Sequence, residues 1–285
     1  MNHNLHFDYT TVGHVTIDVL EDGSRQAGGT AFYSALQAAR LGRRALIVTC
    51  GRAREIEQLI EPYRDELELR VLPAPHTTTL RTAGSGSDRS QRVLAWAGPI
   101  AEKLVLDTSI LHLAPVARES PSRWRGRADF VGLTPQGLAR EWSAHDGQIE
   151  PTRPTPADAD VAARCDAVVV SEHERTSCAE LIATAAAAGA VVAVTAGARP
   201  NTILAPGREA LELDVPALEH PVDDLGAGDV FAAAFFIALS GGRSALQAAS
   251  FANAAAAVRM CGAGAGAIGG LAAIEARLSR VAPAR

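Results

Sequence analysis

Short apolar runs alternate with longer helical segments along most of the chain. The short runs are apolar without strict alternation, which is typical of strands in a parallel sheet covered on both faces. The longer segments are rich in Ala and Leu and favour helices. Alternating strands and helices predict a doubly wound α/β domain. The predicted strands are residues 9–17, 45–50, 67–72, 110–114, 130–133, 167–170, 191–195 and 202–205, and the predicted helices are 30–41, 174–188, 230–240, 245–260 and 271–281.

Residues 77–97 differ in character, because polar and apolar positions alternate on both sides of the glycine- and serine-rich stretch 84–88. This pattern predicts a β-hairpin with a flexible tip. Residues 150–157 contain Pro151, Pro154 and Pro156, and we interpret them as a stiff connection rather than a domain boundary. Residues 1–285 are therefore predicted to form one domain.

Composition narrows the class of protein. Apolar residues make up 47% of the 285 residues, which is enough for a sizeable core. The net charge is −5 and no Lys/Arg cluster stands out, so nucleic acid is not an expected partner. The four cysteines form no CxxC pair, which argues against disulfides and a zinc site. Without a signal-peptide core or an apolar run of about 18 residues, the chain is expected to be cytoplasmic and to have no membrane partner.

A glycine-rich turn near the C-terminus carries the clearest chemical signal. Gly226-Ala227-Gly228 leads directly into Asp229 and a strongly apolar helix. Glycines let the main chain approach a ligand closely, and the first amides of a helix have no internal partner and favour negative charge. Such a turn can hold a phosphate during transfer. A carboxylate at Asp229 can accept the proton of an attacking hydroxyl, and phosphoryl transfer needs little else from side chains.

The same turn also has a purely structural explanation. Glycine-rich turns before helices are common, and an acidic residue in a first helical turn is favourable for capping and dipole reasons. The functional interpretation therefore depends on other motifs in the right order.

Those motifs are present. In order and in wording, the chain from about Gly13 to about Gly266 resembles the ribokinase/PfkB family of carbohydrate kinases. The resemblance implies a ribokinase-like fold: a doubly wound, mostly parallel central sheet flanked by helices, with small β lid elements near residues 18–28 and 77–97. The motifs are Val12-Gly13-His14-Val15-Thr16-Ile17-Asp18, Ala27-Gly28-Gly29-Thr30, Ser171-Glu172-His173-Glu174, Val194-Thr195-Ala196-Gly197, Gly226-Ala227-Gly228-Asp229 and Ala252-Asn253-Ala254.

The resemblance also assigns roles. It implies a kinase that moves the γ-phosphate of ATP to a hydroxyl of a sugar or polyol, with Asp229 as catalytic base. Glu174 would organise Mg²⁺ through water, and a homodimer is compatible with the family. The turn Gly226, Ala227 and Gly228 would hold the developing charge; Asp18, Gly28 and Gly29 would bind the acceptor; Thr195, Gly197, Asn253 and Gly262 would bind the nucleotide.

Several positions depart from the family pattern. Ser171 replaces the usual Asn, Asn201 and its neighbours stand where a Gly is usual, and residues 223–225 replace a D-T-T sequence. The short lid is similar to that of inositol-kinase-like members. Activation by a monovalent cation, known in some members, is unsupported. A catalytically weak sensor protein and a nucleoside kinase remain alternatives. An aromatic-lined pocket would support the nucleoside kinase, but aromatic residues are only 5% of the chain.

Overall fold

The computed structural model describes residues 6–84, 89–100, 104–121 and 123–281, so residues 85–88 of the predicted hairpin tip lie outside it. The strands are β1 Phe7–Val12, β2 Thr16–Val19, β3 Arg25–Gly28, β4 Ala45–Gly51, β5 Leu67–Pro73, β6 Thr79–Ala83, β7 Ser90–Ala95, β8 Val105–Leu113, β9 Arg125–Leu133, β10 Arg140–Trp142, β11 Ile149–Pro151, β12 Ala167–Ser171, β13 Val191–Thr195, β14 Asn201–Leu204 and β15 Leu211–Leu213. The helices are α1 Thr30–Arg40, α2 Ala53–Ile60, α3 Pro156–Ala162, α4 Glu172–Arg175, α5 Ala179–Ala187, α6 Ala227–Ser240, α7 Ala245–Met260 and α8 Leu271–Val281.

A nine-stranded central sheet has the order β15-β14-β13-β12-β9-β8-β1-β4-β5. Its strands pair in parallel from β13 to β5, and β14 and β15 add antiparallel pairs at one edge. The innermost strands are buried on both faces, as in the run Ala167–Val170 of β12. Sequence-distant strands thus become neighbours, and the predicted mostly parallel, doubly wound sheet is confirmed.

Helices cover both faces of this sheet. Alternate strand residues point to opposite faces, so Val169 belongs to the core on the side of α1, α6 and α7, while Val168 and Val170 belong to the core on the side of α3 and α5. Helix α6 is apolar all round and buried from Val230 to Ala238, which is expected of a helix enclosed by other helices. Within the described ranges, no helix is both long and apolar enough to cross a membrane.

A second, four-stranded sheet, the small sheet, has the order β3-β2-β6-β7. The prediction of one strand over residues 9–17 was wrong, because the chain leaves the central sheet after β1 and enters the small sheet as β2. Gly13 lies at the break, where an added Cβ would be 2.1 Å from the carbonyl oxygen of Ala114. Only a residue without a side chain fits this close passage.

Candidate active site

The residues singled out by the sequence gather at one edge of the central sheet. Parallel strands β1, β12 and β13 end there, at Val12, Ser171 and Thr195. In open α/β sheets, ligands bind outside the carboxyl ends of the strands. Helix α6 also begins at this edge, with Gly226 as its N-cap.

The glycine-rich turn depends on Gly226. Its φ of 79° lies in the left-handed region, and an added Cβ would meet the ring of Tyr33 at 2.4 Å. Glycine is the residue that satisfies both constraints. The turn is therefore shaped by backbone conformation and by packing against α1.

The amides of the turn divide into two groups. The amide of Ala227 donates to the carbonyl of Asp224 at 3.1 Å, and the amide of Val230 makes the first helical bond, to Gly226, at 3.0 Å. The amides of Gly228 and Asp229 lie between them, at the open N-terminus of α6. The structure thus gives the amide of Ala227 a part in the turn itself, which differs from its predicted contact with the phosphoryl group.

Asp229 is half-buried among other charged groups. Burial raises the pKa of its carboxyl to about 7; nearby Glu174 and Asp18 also raise it, whereas a hydrogen bond from Thr30 and the charge of Arg140 lower it. A carboxyl with a pKa near neutrality is ionised about half the time at pH 7. It can accept a proton and release it again, which is what a general base requires.

The predicted acceptor-side residues also come together. Asp18 is 3% exposed, and the hydroxyl of Thr16 donates to its Oδ1 at 2.7 Å. Burial raises the pKa of Asp18 to about 6. An added Cβ at Gly28 would lie 2.1 Å from Asp18 Oδ2, and one at Gly29, with φ of 90°, would lie 2.3 Å from the carbonyl of His14. Gly28 therefore lets the backbone lie directly against the Asp18 carboxylate, and Gly29 lets it pass close to the backbone of His14.

Arg140, on β10, is a site residue that the sequence did not reveal. Its Nη1 donates to the carbonyl of Val116 at 3.1 Å. Burial lowers the pKa of its guanidinium, while the charges of Glu174, Asp229, Glu119 and Asp18 raise it. Arg140 is thus the positive group common to the carboxylates of the site. No motif surrounds it in the sequence, and its acidic neighbours come from distant parts of the chain.

Glu174 lies at the start of α4, directly after β12. Its Oε2 accepts a hydrogen bond from the amide of Ser171 at 3.1 Å, and the hydroxyl of Ser171 accepts one from the amide of His173 at 3.3 Å. Ser171, which replaces the family's Asn, thus caps the helix that carries Glu174.

The carboxylate of Glu174 suits Mg²⁺ that arrives with phosphates. In the part of the chain that the structure describes, no group of three or more His, Cys, Asp or Glu residues could hold a metal alone. Mg²⁺ commonly uses one or two carboxylates together with waters and substrate phosphates. Glu174, whose charge acts on both Asp229 and Arg140, fits that pattern.

The predicted nucleotide residues lie on two neighbouring segments joined by Asn201. Its Oδ1 accepts from the amide of Ala196 at 3.1 Å, inside the Thr195–Gly197 loop, and its Nδ2 donates to Asn253 Oδ1 at 2.8 Å. Asn253 is only 5% exposed. It therefore supports the loop from behind, whereas the sequence predicted it on the wall facing the base. The carbonyl of Gly262 accepts from Arg259 at 2.9 Å.

The small sheet contacts the glycine-rich turn through an ion pair. Arg89, just before β7, pairs with Asp224, which precedes the turn. The charge of Arg89 also lowers the pKa of Asp18. Arg89 thus links the small sheet to the segment that leads into the glycine-rich turn.

Comparisons with known proteins agree with this geometry. The chain has the fold of the ribokinase family. It is similar to a pyrophosphate-dependent kinase in that family, seen in a sulfate complex, with 22% identity, 90% of this chain and 96% of the other covered, and a TM-score of 0.72. It is also similar to ribokinase of Arabidopsis thaliana complexed with ribose and ATP, with 18% identity, 96% of this chain and 99% of the other covered, and a TM-score of 0.73. A third similar structure is nucleoside kinase of Methanocaldococcus jannaschii, with 16% identity, 96% of this chain and 98% of the other covered, and a TM-score of 0.70.

The family model described as pfkB family carbohydrate kinase matches residues 144–268. This match and the fold together confirm the family resemblance indicated by the motifs. The matched range includes Glu174, the Thr195–Gly197 loop and Asp229, but it begins after Asp18 and Gly28, the residues predicted to bind the acceptor. A search of curated protein sequences gave no significant match.

Proposed function

We propose that the protein is a kinase that transfers the γ-phosphoryl group of ATP to a hydroxyl of a sugar or polyol, with Asp229 as the base. The family match supports a phosphotransferase that acts on this class of acceptor. The observation that carries the proposal is the position of Asp229. Its carboxyl, with the pKa raised to about 7, stands beside the amides of Gly228 and Asp229 at the start of α6 and close to Asp18.

The residues divide the reaction among them. Asp18, with the backbone at Gly28 and Gly29, orients the acceptor. Asp229 takes the hydroxyl proton while the hydroxyl oxygen bonds to the γ-phosphorus and the bond between that phosphorus and the ADP oxygen breaks. The amides of Gly228 and Asp229, together with Arg140, hold the negative charge on the transferring group. Mg²⁺, when bound with the donor phosphates, neutralises part of their charge.

Pyrophosphate is a second candidate donor. The burial of Asn253 favours it, because a side chain that is only 5% exposed is poorly placed to contact an adenine base. Several solved structures with the same fold are of pyrophosphate-dependent kinases, one of them bound to a pyrophosphate analogue and myo-inositol. With pyrophosphate as donor, the anion site at α6 has the same role, and the leaving group is phosphate instead of ADP.

The test is product formation with Mg-ATP or Mg-pyrophosphate against a panel of sugars, inositols and nucleosides, with Asp229→Asn as control. We expect acceptor-dependent release of ADP or phosphate. The rate of the Asp229→Asn protein should be lower than that of wild type by a factor of about 10²–10⁴, as is typical for the loss of a positioned base. A near-normal rate in Asp229→Asn would reject the assigned base. Donor binding without transfer to any acceptor would favour a ligand-binding sensor.

A further inference from the structure

Arg259, in the last turn of α7, is the largest fully buried side chain among the described residues. Its guanidinium is surrounded by backbone and carboxylate oxygens from two separate segments. Nη2 donates to Asp223 Oδ2 at 2.7 Å and to the carbonyl of Leu225 at 2.7 Å. Nη1 donates to the carbonyl of Gly262 at 2.9 Å and to that of Asp223 at 3.4 Å.

A buried charge is costly unless it is paired and hydrogen-bonded. Asp223 provides the opposite charge. Burial acts to raise the pKa of Asp223, but hydrogen bonds from Arg259 and from the amides of Leu225 and Gly264 hold it below its usual value. The same carboxylate therefore stays ionised and joins both segments, with bonds of 2.9 Å to Leu225 and 3.0 Å to Gly264.

These bonds end at the glycine-rich turn. The carbonyl of Leu225, bonded to Arg259, immediately precedes Gly226. The ring of Tyr33 lies 5.8 Å from the Arg259 guanidinium and also packs against the Cα of Gly226, where an added Cβ would meet it at 2.4 Å. Arg259 thus restrains the turn through its backbone and, through Tyr33, through packing.

We infer that Arg259 is a positioning residue whose guanidinium acts as a built-in cation, holding the Gly226–Asp229 turn in its anion-binding conformation. Carboxylate and carbonyl oxygens are the ligands that hard cations take in proteins, and here a side chain occupies their centre. The site then needs no monovalent cation at this position. The inference rests on the proposed function, because the anion held by the turn is the transferring phosphoryl group.

Arg40 provides a matched control. It too donates from one guanidinium to several backbone carbonyls: Ala265 at 3.3 Å, Gly266 at 3.0 Å and Ile268 at 2.6 Å. It also forms an ion pair with Glu66. Its bonds fasten the segment that follows Gly264, so replacing it removes a similar set of contacts without releasing the glycine-rich turn.

The experiment compares wild type, Arg259→Ala, Arg259→Lys and Arg40→Ala. For each we would measure kcat and KM with the active donor and acceptor, the affinity for pyrophosphate and for ATP by calorimetry, and the melting temperature. We expect Arg259→Ala to lower kcat by roughly 10²-fold, since small displacements of reacting groups have such effects, with little change in acceptor KM. Millimolar guanidinium should restore part of this loss. Arg40→Ala should lower the melting temperature but leave kcat within about twofold of the wild-type value.

Arg259→Lys keeps the positive charge but loses the forked donors of the guanidinium. We therefore expect it to fold and to have a kcat between those of wild type and Arg259→Ala. If Arg259→Ala does not fold, Arg259→Lys provides the test. Wild type should be equally active in potassium and tetramethylammonium salts. A folded Arg259→Ala or Arg259→Lys protein with normal kcat would overturn the inference, as would strong activation of wild type by potassium. If wild type transfers no phosphoryl group and binds neither pyrophosphate nor ATP, the proposed function itself fails and this inference falls with it.

Discussion

At the scale of a single residue, the pKa of Asp229 is set by opposing effects. Burial and the carboxylates of Asp18 and Glu174 raise its pKa to about 7, while Thr30 and Arg140 lower it. A base works only when ionised, so kcat/KM should fall about tenfold per pH unit below this value and level off above it. The measurement is kcat/KM from pH 5.5 to 8.5. A profile that stays flat through pH 7 would contradict the assignment of Asp229 as base.

Arg140 should matter for both charge and pH dependence. Arg140→Gln removes the positive group that faces the four carboxylates, so we expect kcat to fall by about 10²–10³. The pKa of Asp229 should rise as well, because the charge of Arg140 lowers it. The pH profile of the variant should therefore move to higher pH.

Arg92→Gln is the control for Arg140. Strand β10, which carries Arg140, pairs with β11 in a two-stranded ribbon, and Arg92 donates to Gln148 directly before β11. The profile of Arg92→Gln should match that of wild type. Equal losses in the two variants would indicate that the ribbon, and not the charge of Arg140, was disturbed.

The sequence predicted the site residues that sit in contiguous motifs, and it missed those defined only by the fold. Asp18 lies in a short strand, Glu174 and Asp229 lie in the first turns of helices, and the structure brings their charges together. Arg140 and Arg259 have no local pattern. Their partners lie far away in the chain, so their contacts can be recognised only in the folded structure.

At the scale of elements, the turn before α6 is constrained both by its backbone conformation and by its packing. Gly226→Ala introduces a Cβ at positive φ and against Tyr33, at 2.4 Å. We expect activity to fall by at least 10²-fold, because the amides of Gly228 and Asp229 would shift. The assay is kcat with the active donor, alongside a thermal melt.

Gly242→Ala separates strain from position. Gly242 follows α6 at its other end, has φ of 85°, and an added Cβ there would contact nothing within 4 Å. It should lose stability from the unfavourable φ but keep its activity. If both variants lose activity alike, the turn has no special role.

Element boundaries were less predictable than element types. Strand β9 was expected only over 130–133, because its first half, from Arg125, is polar and largely exposed. That half pairs with β8 along its length, which gives it strand structure without an apolar signature. The expected helix over 174–188 divides into α4 and α5. Helix α4 starts earlier than predicted, at a capping box formed by Ser171 and Glu174.

At the scale of the whole molecule, the Asp229 carboxyl makes the free energy of unfolding decrease as the pH rises. The pKa of Asp229 is above its ordinary value of 3.8, so the folded state binds an extra proton between pH 4 and 7. Stability from this group is complete below pH 4 and is lost as the pH rises through 7. Asp229→Asn removes the effect, so it should raise the melting temperature relative to wild type more at pH 8 than at pH 5.

Asp65→Asn, at an exposed acid, serves as the control and should give the same small difference at both pH values. If the gain from Asp229→Asn is equal at pH 5 and pH 8, the carboxyl of Asp229 does not have a raised pKa. Such a result would weaken the case for a base at this position.

The most direct test of the central claim is phosphorus NMR of the reaction mixture, with wild type or Asp229→Asn, the donor and the acceptor identified by the panel. With wild type, a phosphomonoester signal of the acceptor should grow as the donor signal declines, and with Asp229→Asn it should be absent on the same timescale. Free phosphate or ADP formed without a phosphorylated acceptor, or equal product from the two proteins, would contradict transfer to a hydroxyl with Asp229 as base.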